Sequence, residues 1–150
     1  MSFTIRAAKP TDSKTIAEFQ IAMALETENK TLDPQVVTPA VAAVFENSQH
    51  GFYVVAESDD QVIGSLMITY EWSDWRNGNM WYIQSVFVDK QHRGKGVFKN
   101  LYRHVIDLAK LAEVMFVRLY VETDNEAAQK VYESLGMKRM PYYMYDIKID

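Results

Sequence analysis

The sequence predicts an α/β protein of the α+β type, with a mixed, mostly antiparallel twisted sheet flanked by helices. Three apolar or alternating runs, Phe52–Ala56, Val62–Trp72 and Met80–Val88, are joined by short polar turns, which predicts adjacent antiparallel strands. A helical pattern then separates the third run from a β-branched run at Phe116–Val121, which is typical of a strand–helix–strand crossover. Hairpins and a crossover in one chain favour a mixed sheet covered by helices.

The N-terminal elements are a strand followed by two helices. Phe3–Ala7 alternates like a strand, and Lys9–Asp12 then supplies a turn and a helix start. Apolar side chains recur at helical spacing over Ile16–Met23, and Thr38–Phe45 predicts a second helix. These helices precede the three central strands.

The C-terminal half begins with a helix predicted over Val97–Ala112. Asp124 or Asn125 can cap a further helix, which Gly136 would end as its C′ residue. The alternating run Tyr142–Ile149 predicts a last strand, and its aromatic side chains point to the edge of a homodimer.

Length and composition predict one soluble domain over residues 1–150. The chain has no Cys, which excludes disulfides, thiolate metal sites and a covalent Cys mechanism. The N-terminus lacks an apolar run of signal-peptide length, and no run approaches the ~20 apolar residues that span a bilayer. We therefore expect a cytoplasmic protein without a membrane partner.

Positive charge is concentrated in one segment, Lys90–Arg103, which carries five basic residues and no carboxylate. The rest of the chain holds eleven Lys and Arg against twenty Asp and Glu, a net charge of −9. This pattern indicates a local anionic partner and argues against a nucleic acid backbone. His50, His92 and His104 have no metal-ligand spacing, so no metal site is expected.

Gly94 and Gly96 lie between a predicted strand and a predicted helix. The N–H groups at a helix N-terminus attract anions, and glycines allow a phosphate to approach the backbone. Arg93 and Lys95 add positive charge. The alternative is a tight turn with a solvated basic face. The loop is not a Walker A motif, and Lys99 replaces the third glycine of a dinucleotide fingerprint.

Two motifs resemble signatures of the GNAT superfamily of N-acetyltransferases. Gln91–Gly96 has the spacing Gln-x-x-Gly-x-Gly and is similar to the family's Gln/Arg-x-x-Gly-x-Gly/Ala. Asn125–Met137 is similar to the family's Asn-x-x-Ala-x-x-x-Tyr-x-x-x-Gly-Phe, one strand downstream. Phe98 stands where a third glycine is frequent, and Lys90 where proline is frequent. The predicted element order also matches this family, so the resemblance implies the GNAT fold.

The resemblance implies acetyl-CoA as the cosubstrate. Loop amides from Arg93 to Phe98 would hold the pyrophosphate, and Arg93, Lys95 or Lys99 could meet the 3′-phosphate. The pantetheine arm would lie between diverging strands, where N–H groups near Phe87 and Val88 would polarise the thioester carbonyl. The implied cofactor-binding residues are Phe87, Val88, Gln91, Arg93, Gly94, Lys95, Gly96, Val97, Phe98, Asn125 and Tyr132.

Acetyl transfer without Cys passes most simply from the thioester directly to an amine. A primary amine with a pKa near ~10 is mostly charged at neutral pH, so a base is needed. Glu71 and Glu122 are the candidates, directly or through water, although each could be a solvated surface carboxylate. By the resemblance, Tyr132 would serve the departing thiolate; its alternative role is core packing.

The stretch Tyr70–Trp81 predicts a small cationic or amino-acid-like acceptor. It places Glu71 and Asp74 among three tryptophans, which offer charge and cation–π attraction to an ammonium group. The alternative is that the tryptophans pack a hairpin tip and that the acids are solvated, with Arg76 pairing Asp74. The predicted substrate-binding residues are Glu26, Trp72, Asp74, Trp75 and Gln84.

The sequence therefore predicts an acetyl-CoA-dependent N-acetyltransferase acting on a small amine. Two alternatives stay open: a non-catalytic GNAT-fold module that binds acyl-CoA as a sensor or scaffold, and a basic-loop domain for another phosphorylated ligand. Fold resemblance alone does not choose between them, because function resides in the site.

Overall fold

The computed structural model describes residues 2–150, which form five strands and four helices. The strands are β1 Thr4–Ala7, β2 Phe52–Ser58, β3 Gln61–Ser73, β4 Gly78–Val88 and β5 Val117–Arg118. The helices are α1 Ser13–Glu28, α2 Pro34–Glu46, α3 Val97–Leu111 and α4 Glu126–Ser134. The chain divides into two compact units, one ending at Leu119 and the other comprising Tyr120–Asp150.

The strands of the first unit form one sheet in the order β1-β2-β3-β4-β5. The first four strands are antiparallel neighbours, whereas β5 runs parallel to β4. The crossover from β4 to β5 passes through α3. The predicted fold class, a mixed and mostly antiparallel sheet flanked by helices, is confirmed.

The sheet buries apolar side chains on both faces, because successive strand residues point to opposite sides. The cluster beside α1 and α2 contains Ile16, Ala17, Val41, Val44, Tyr53 and Val55. The cluster beside α3 contains Val54, Ala56, Ile63, Leu66, Ile68, Trp81, Ile83, Val97, Leu101, Val105 and Ala109. The alternation within β2 thus fixes the helices as two layers, one on each side of the sheet.

Local sequence explains where the helices begin and end. The α2 helix starts at Pro34, before the predicted Thr38, because proline suits the first helical position and Asp33 accepts a hydrogen bond from the Gln35 N–H. The α1 helix ends where Asn29 adopts a left-handed conformation with φ of 52°.

Two predicted strands differ from the structure. The run Phe116–Val121 forms a strand only at Val117–Arg118. The predicted last strand, Tyr142–Ile149, is not formed, and its side chains are exposed. An alternating sequence becomes a strand only when a neighbouring backbone accepts and donates its ladder hydrogen bonds.

Asp12 connects β1 to the start of α1 through hydrogen bonds. The Arg6 guanidinium donates to both Asp12 carboxylate oxygens, at 2.8 and 3.1 Å, and the Lys9 N–H donates at 2.7 Å. Arg6 also donates to Glu57 on β2 at 2.9 Å. The hydrogen bonds from Arg6 hold the pKa of the Asp12 carboxyl below its ordinary value of 3.8.

We expect Asp12→Asn to lower the free energy of unfolding by about 1.5–3 kcal/mol at pH 7, because charge-assisted hydrogen bonds are lost. A depressed folded pKa stabilises the protein above the ordinary carboxyl pKa of 3.8, and this contribution is lost as the pH falls through the folded value. Urea unfolding between about pH 7 and pH 3 measures it, with the exposed Asp107→Asn as the control. A wild-type-to-variant difference that stays constant over this range would contradict the assignment.

Candidate functional site

A β-bulge interrupts β4 near its C-terminal end. Ser65 pairs with Phe87 and Met67 pairs with Gln84, so one residue of β3 faces two residues of β4. Ser85 lies within this bulge and has a φ of 53°, which is unusual for a residue with a side chain. Bulges often occur at functional sites, where they redirect side chains and end regular pairing.

The outer edge of β4 pairs with β5 over only a short stretch. The parallel pairing joins only Trp81 to Val117 and Tyr82 to Arg118. Within residues 2–150, no strand pairs with the outer edge of β4 over residues 83–88. The structure therefore gives β4 a parallel neighbour only at Trp81 and Tyr82, and the divergence of the two strands stays a prediction.

The loop after β4 leads into the uncapped N-terminus of α3. Gly94 and Gly96 have φ values of +75° and +80°, which explains the two glycines because residues with a Cβ rarely adopt such angles. Gly96 is the N-cap residue, and no side chain of the described chain caps the helix. N–H groups of the first turn have no acceptor within the helix, so this end is suited to bind an anion.

The basic side chains of this loop already have protein partners. Arg93 donates to Glu26 Oε2 and to the Val88 carbonyl, each at 2.8 Å, and lies over the Phe87 ring. Lys95 donates to the Gln91 carbonyl at 3.0 Å. The hydrogen bond from Arg93 lowers the pKa of Glu26. Glu26, predicted on the acceptor side, therefore contacts the predicted cofactor loop.

Three polar residues share one face of the sheet near the bulge. Thr69 and Glu71 are two residues apart on β3, and Gln84 donates to Thr69 Oγ1 at 2.6 Å. Arg118 on β5 lies 3.8 Å from Glu71, and its buried Nε has no hydrogen-bond partner among residues 2–150. Sequence reasoning missed Arg118, although an arginine within a β-branched run was a usable signal. The face thus presents a carboxylate and a guanidinium side by side.

The tryptophans of the predicted acceptor stretch do not form one cluster. Trp81 is buried in the core, where it packs against Phe52. Trp72 and Trp75 are exposed, and Trp72 points to the opposite face of β3 from its neighbour Glu71. The burial of Trp81 therefore does not support the prediction that it binds one cation together with Trp72 and Trp75.

Arg76 contacts residues other than Asp74, which the alternative interpretation of this stretch gave as its partner. It donates to Ser73 Oγ at 3.2 Å, and its guanidinium lies over the Phe116 ring at 4.8 Å. Asp74 is exposed in the turn between β3 and β4.

Within the second unit, Asn125 is the N-cap of α4, where its Oδ1 accepts a hydrogen bond from the Ala128 N–H at 3.1 Å. This bond explains the Asn-x-x-Ala part of the motif. Glu122 is exposed, and its carbonyl accepts hydrogen bonds from the Asn125 N–H and the Gln129 side chain. Burial raises the pKa of Tyr132 above its ordinary value of 10.0, so its hydroxyl is protonated at neutral pH.

Residues 2–150 offer neither a metal site nor a helical membrane span. No group of three or more His, Asp and Glu side chains in this range is placed to hold a metal ion. None of the helices described there is both long enough and apolar enough to cross a membrane.

Comparisons with known proteins agree with this architecture. A crystal structure of a possible acetyltransferase from Clostridium difficile 630 has a TM-score of 0.93 and 42% identity, covering 100% of this chain and 99% of that one. A predicted acetyltransferase from Clostridium acetobutylicum, solved with acetyl-CoA, has a TM-score of 0.79 at 16% identity, with coverage of 97% and 96%, and so shows the fold alone.

Curated relatives have lower identity. The N-alpha-acetyltransferase RimI of Mycobacterium tuberculosis is 31% identical over 62% of this chain and 56% of its own length. The L-methionine sulfoximine/L-methionine sulfone acetyltransferase of Salmonella typhimurium is 27% identical over 89% of this chain and 78% of its own length. This chain spans only about half of RimI and less than a third of some other relatives.

The family model of acetyltransferases of the GNAT type matches residues 19–137, which is most of the sequence. The match includes both glycine and tyrosine motifs and every strand from β2 to β5. This chain belongs to the acetyltransferase (GNAT) family.

Proposed function

We propose that residues 1–150 act as one N-acetyltransferase domain, which transfers the acetyl group of acetyl-CoA directly to a primary amine of a small acceptor. The observation that carries this proposal is the uncapped, glycine-bordered N-terminus of α3, which follows the open edge of β4 in a chain of this family. The acidic balance outside the loop favours a small acceptor over a nucleic acid. The lack of Cys suits a cytoplasmic location.

The loop would hold the diphosphate of acetyl-CoA. Amides from Arg93 to Phe98, with Val97 opening the helix, would donate to phosphate oxygens, and the absence of Cβ atoms at the glycines would permit close approach. Within the loop, Lys95 donates a hydrogen bond to the Gln91 carbonyl. Lys99, in the first turn of the helix, would add charge for the 3′-phosphate.

The open edge of β4 would bind the pantetheine arm and activate the thioester. Backbone N–H groups near Phe87 and Val88 follow the bulge, where regular pairing changes. A donor directed at the thioester oxygen would stabilise the negative charge that develops as the amine attacks, and such donors contribute about 3–4 kcal/mol.

The chemistry requires two proton movements around one C–S bond. Glu71 or Glu122, directly or through water, would accept a proton from the acceptor ammonium, whose nitrogen then attacks the thioester carbon. The C–N bond forms, the C–S bond breaks, the sulfur leaves with the electron pair, and a second proton passes from the nitrogen to water. Tyr132 would donate a hydrogen bond to this thiolate. Because burial raises the Tyr132 pKa further above that of a thiol, about 8.5, hydrogen bonding is favoured over complete proton transfer.

An amino-acid-like acceptor suits the polar face of the sheet. Glu71 would attract an ammonium group, and Arg118, whose Nε lacks a hydrogen-bond partner within the described chain, would attract a carboxylate. Gln84 and Thr69 would add neutral hydrogen bonds. Exposed Trp72, Asp74 and Trp75, together with Glu26, remain candidate outer contacts. The Salmonella typhimurium relative, which is named for amino-acid-like acceptors, supports this class.

The competing function is a non-catalytic module that binds acyl-CoA as a sensor or scaffold. A thiol-release assay with acetyl-CoA and a panel of amino acids, polyamines, aminoglycosides and peptides separates the two. We expect release of CoA that depends on one class of amine. Tight acetyl-CoA binding without release for any amine would favour the sensor.

Gly96→Val should weaken acetyl-CoA binding at least about tenfold, because a branched side chain would stand in front of the helix amides. The new Cβ would meet only Asn100 Nδ2, at 3.7 Å, so the protein itself has room for it. Calorimetry measures the dissociation constant. Gly136→Val is the matched control, since Gly136 also has a positive φ and a Cβ added there would meet no heavy atom within 4 Å. Equal affinity in both variants would remove the loop from the site.

Tyr132→Phe should lower kcat about 100-fold and leave the acetyl-CoA dissociation constant nearly unchanged, because the hydroxyl acts on the departing thiolate. Steady-state kinetics and calorimetry together make the comparison. A folded Phe variant with full kcat would assign Tyr132 to packing alone.

The double variant Glu71→Gln and Asp74→Asn should lower kcat/KM for cationic amines about tenfold or more, and the wild-type preference for cations should weaken as salt rises. Rates for cationic, neutral and anionic amines at two ionic strengths provide the test. A wild-type preference for neutral or anionic amines that carry no cationic group would contradict this acceptor class. Turnover of cationic amines that is the same in the double variant as in the wild type would also contradict it.

A further inference from the structure

Two polar side chains of the first unit are buried without partners. Gln20 on α1 is 8% exposed, and Ser65 on β3 is 0% exposed. Among residues 2–150, neither the Gln20 Nε2 nor the Ser65 Oγ has a hydrogen-bond partner. Nearly all buried polar groups in native proteins are hydrogen-bonded, so these two atoms require a further partner.

The register of the sheet locates Ser65 on the face that α1 covers. One line of directly paired residues crosses the strands from β1 to β4: Arg6, Val55, Ser65 and Phe87. Directly paired residues point to the same face of a sheet. Val55 belongs to the apolar cluster that contains Ile16 and Ala17 of α1, so the side chain of Ser65 also points towards α1.

Helix α1 follows this line of residues across the sheet. Asp12, just before the helix, is bound to β1, and Phe19 stacks on the Phe87 ring of β4 with centroids 4.9 Å apart. Gln20 is the next residue, and its burial shows that it faces the sheet. Ser65 stands beside Phe87 in the line. The two unpaired polar atoms therefore lie together between the middle of α1 and the sheet.

The β-bulge of β4 adjoins these two atoms. Immediately after the Ser65–Phe87 pair, the register gives Leu66 no partner on β4 and gives Ser85 and Val86 no partner on β3. Backbone groups at such an interruption are available to a third molecule. Gln20, Ser65 and the bulge thus supply three sets of hydrogen-bonding groups at one place.

We propose that Gln20 and Ser65 bind an internal water molecule beneath the bulge, and that this water holds Ser85 and Val86 in the conformation that directs the following β4 N–H groups towards the thioester. The first part of the proposal concerns the folded chain alone. The second part rests on the proposed function, and it makes Gln20 and Ser65 positioning residues.

Water suits this place better than a larger ligand. The complete burial of Ser65 excludes a substrate group unless the core opens. Internal waters typically make about three hydrogen bonds to buried polar groups. A water can accept from an amide N–H and donate to an amide oxygen, so it satisfies the Gln20 side chain in either orientation of its amide.

A crystal structure of the full chain that shows ordered waters tests the first part. We expect one water at about 2.7–3.2 Å from both the Gln20 amide and the Ser65 Oγ, with a third bond to the backbone of the bulge. A direct hydrogen bond between Gln20 and Ser65, or the absence of a water that contacts both, would overturn the proposal. Failure of thiol release by the wild type would instead overturn the proposed function and leave the water in place.

Matched variants test the positioning role. Ser65→Ala removes only the hydroxyl, and Gln20→Met keeps the length of the side chain without its amide. Each should shift the amide signals of Ser85 and Val86, lower kcat about tenfold and change the acetyl-CoA dissociation constant less than about twofold, because the phosphate loop lies elsewhere.

Val41→Ala is the control, because it removes buried apolar volume beside α1 without touching a polar group. It should lower stability and leave both kcat and the bulge amide signals unchanged. Bulge amides that do not move in folded Ser65→Ala, or a loss of kcat that Val41→Ala reproduces, would refute the positioning role. If Gln20→Met does not fold, Ser65→Ala decides the question.

Discussion

The proposed site depends on one constraint: β5 is two residues long, so it pairs with β4 only at Trp81 and Tyr82. The bulge at Ser85 disturbs the register of β4 with β3, and β5 stays with β4 only through Tyr82. Among residues 2–150 no strand pairs with this edge of β4 from Ile83 to Val88, so in the proposed function its backbone groups would pair with an extended ligand. The same strand leads directly into the uncapped start of α3. In the proposed function, a thioester arm and a diphosphate would therefore bind to adjacent surfaces.

The ion pair between Arg93 and Glu26 joins the proposed cofactor surface to a residue predicted on the acceptor side. Arg93 belongs to the glycine loop and Glu26 to the last turn of α1, and they meet at 2.8 Å. A phosphate that recruits Arg93 would compete with Glu26, so cofactor binding would alter the charge at the end of α1. Both side chains are partly exposed, so the pair itself contributes little to stability. Its interest lies in the coupling of two ligands.

Sequence periodicity predicted the helices and strands that pack into the apolar core. Motif spacing located the glycine loop and the Asn125 cap. The prediction was weaker where distant residues meet. Nothing local indicates that Arg93 reaches Glu26, that Arg118 lies beside Glu71, or that Trp81 is buried while Trp72 is exposed. The segment Tyr142–Ile149 was predicted as a strand because alternation indicates burial of one face, but alternation does not identify the backbone that would pair with it.

The most direct measurement of the central claim is a titration of the ¹⁵N-labelled chain with CoA, followed by backbone amide chemical shifts. We expect the largest changes on the amides from Arg93 to Lys99 and on Phe87 and Val88, at the helix start and the end of β4. Changes concentrated elsewhere, with the loop and β4 amides unmoved at saturation, would contradict this claim.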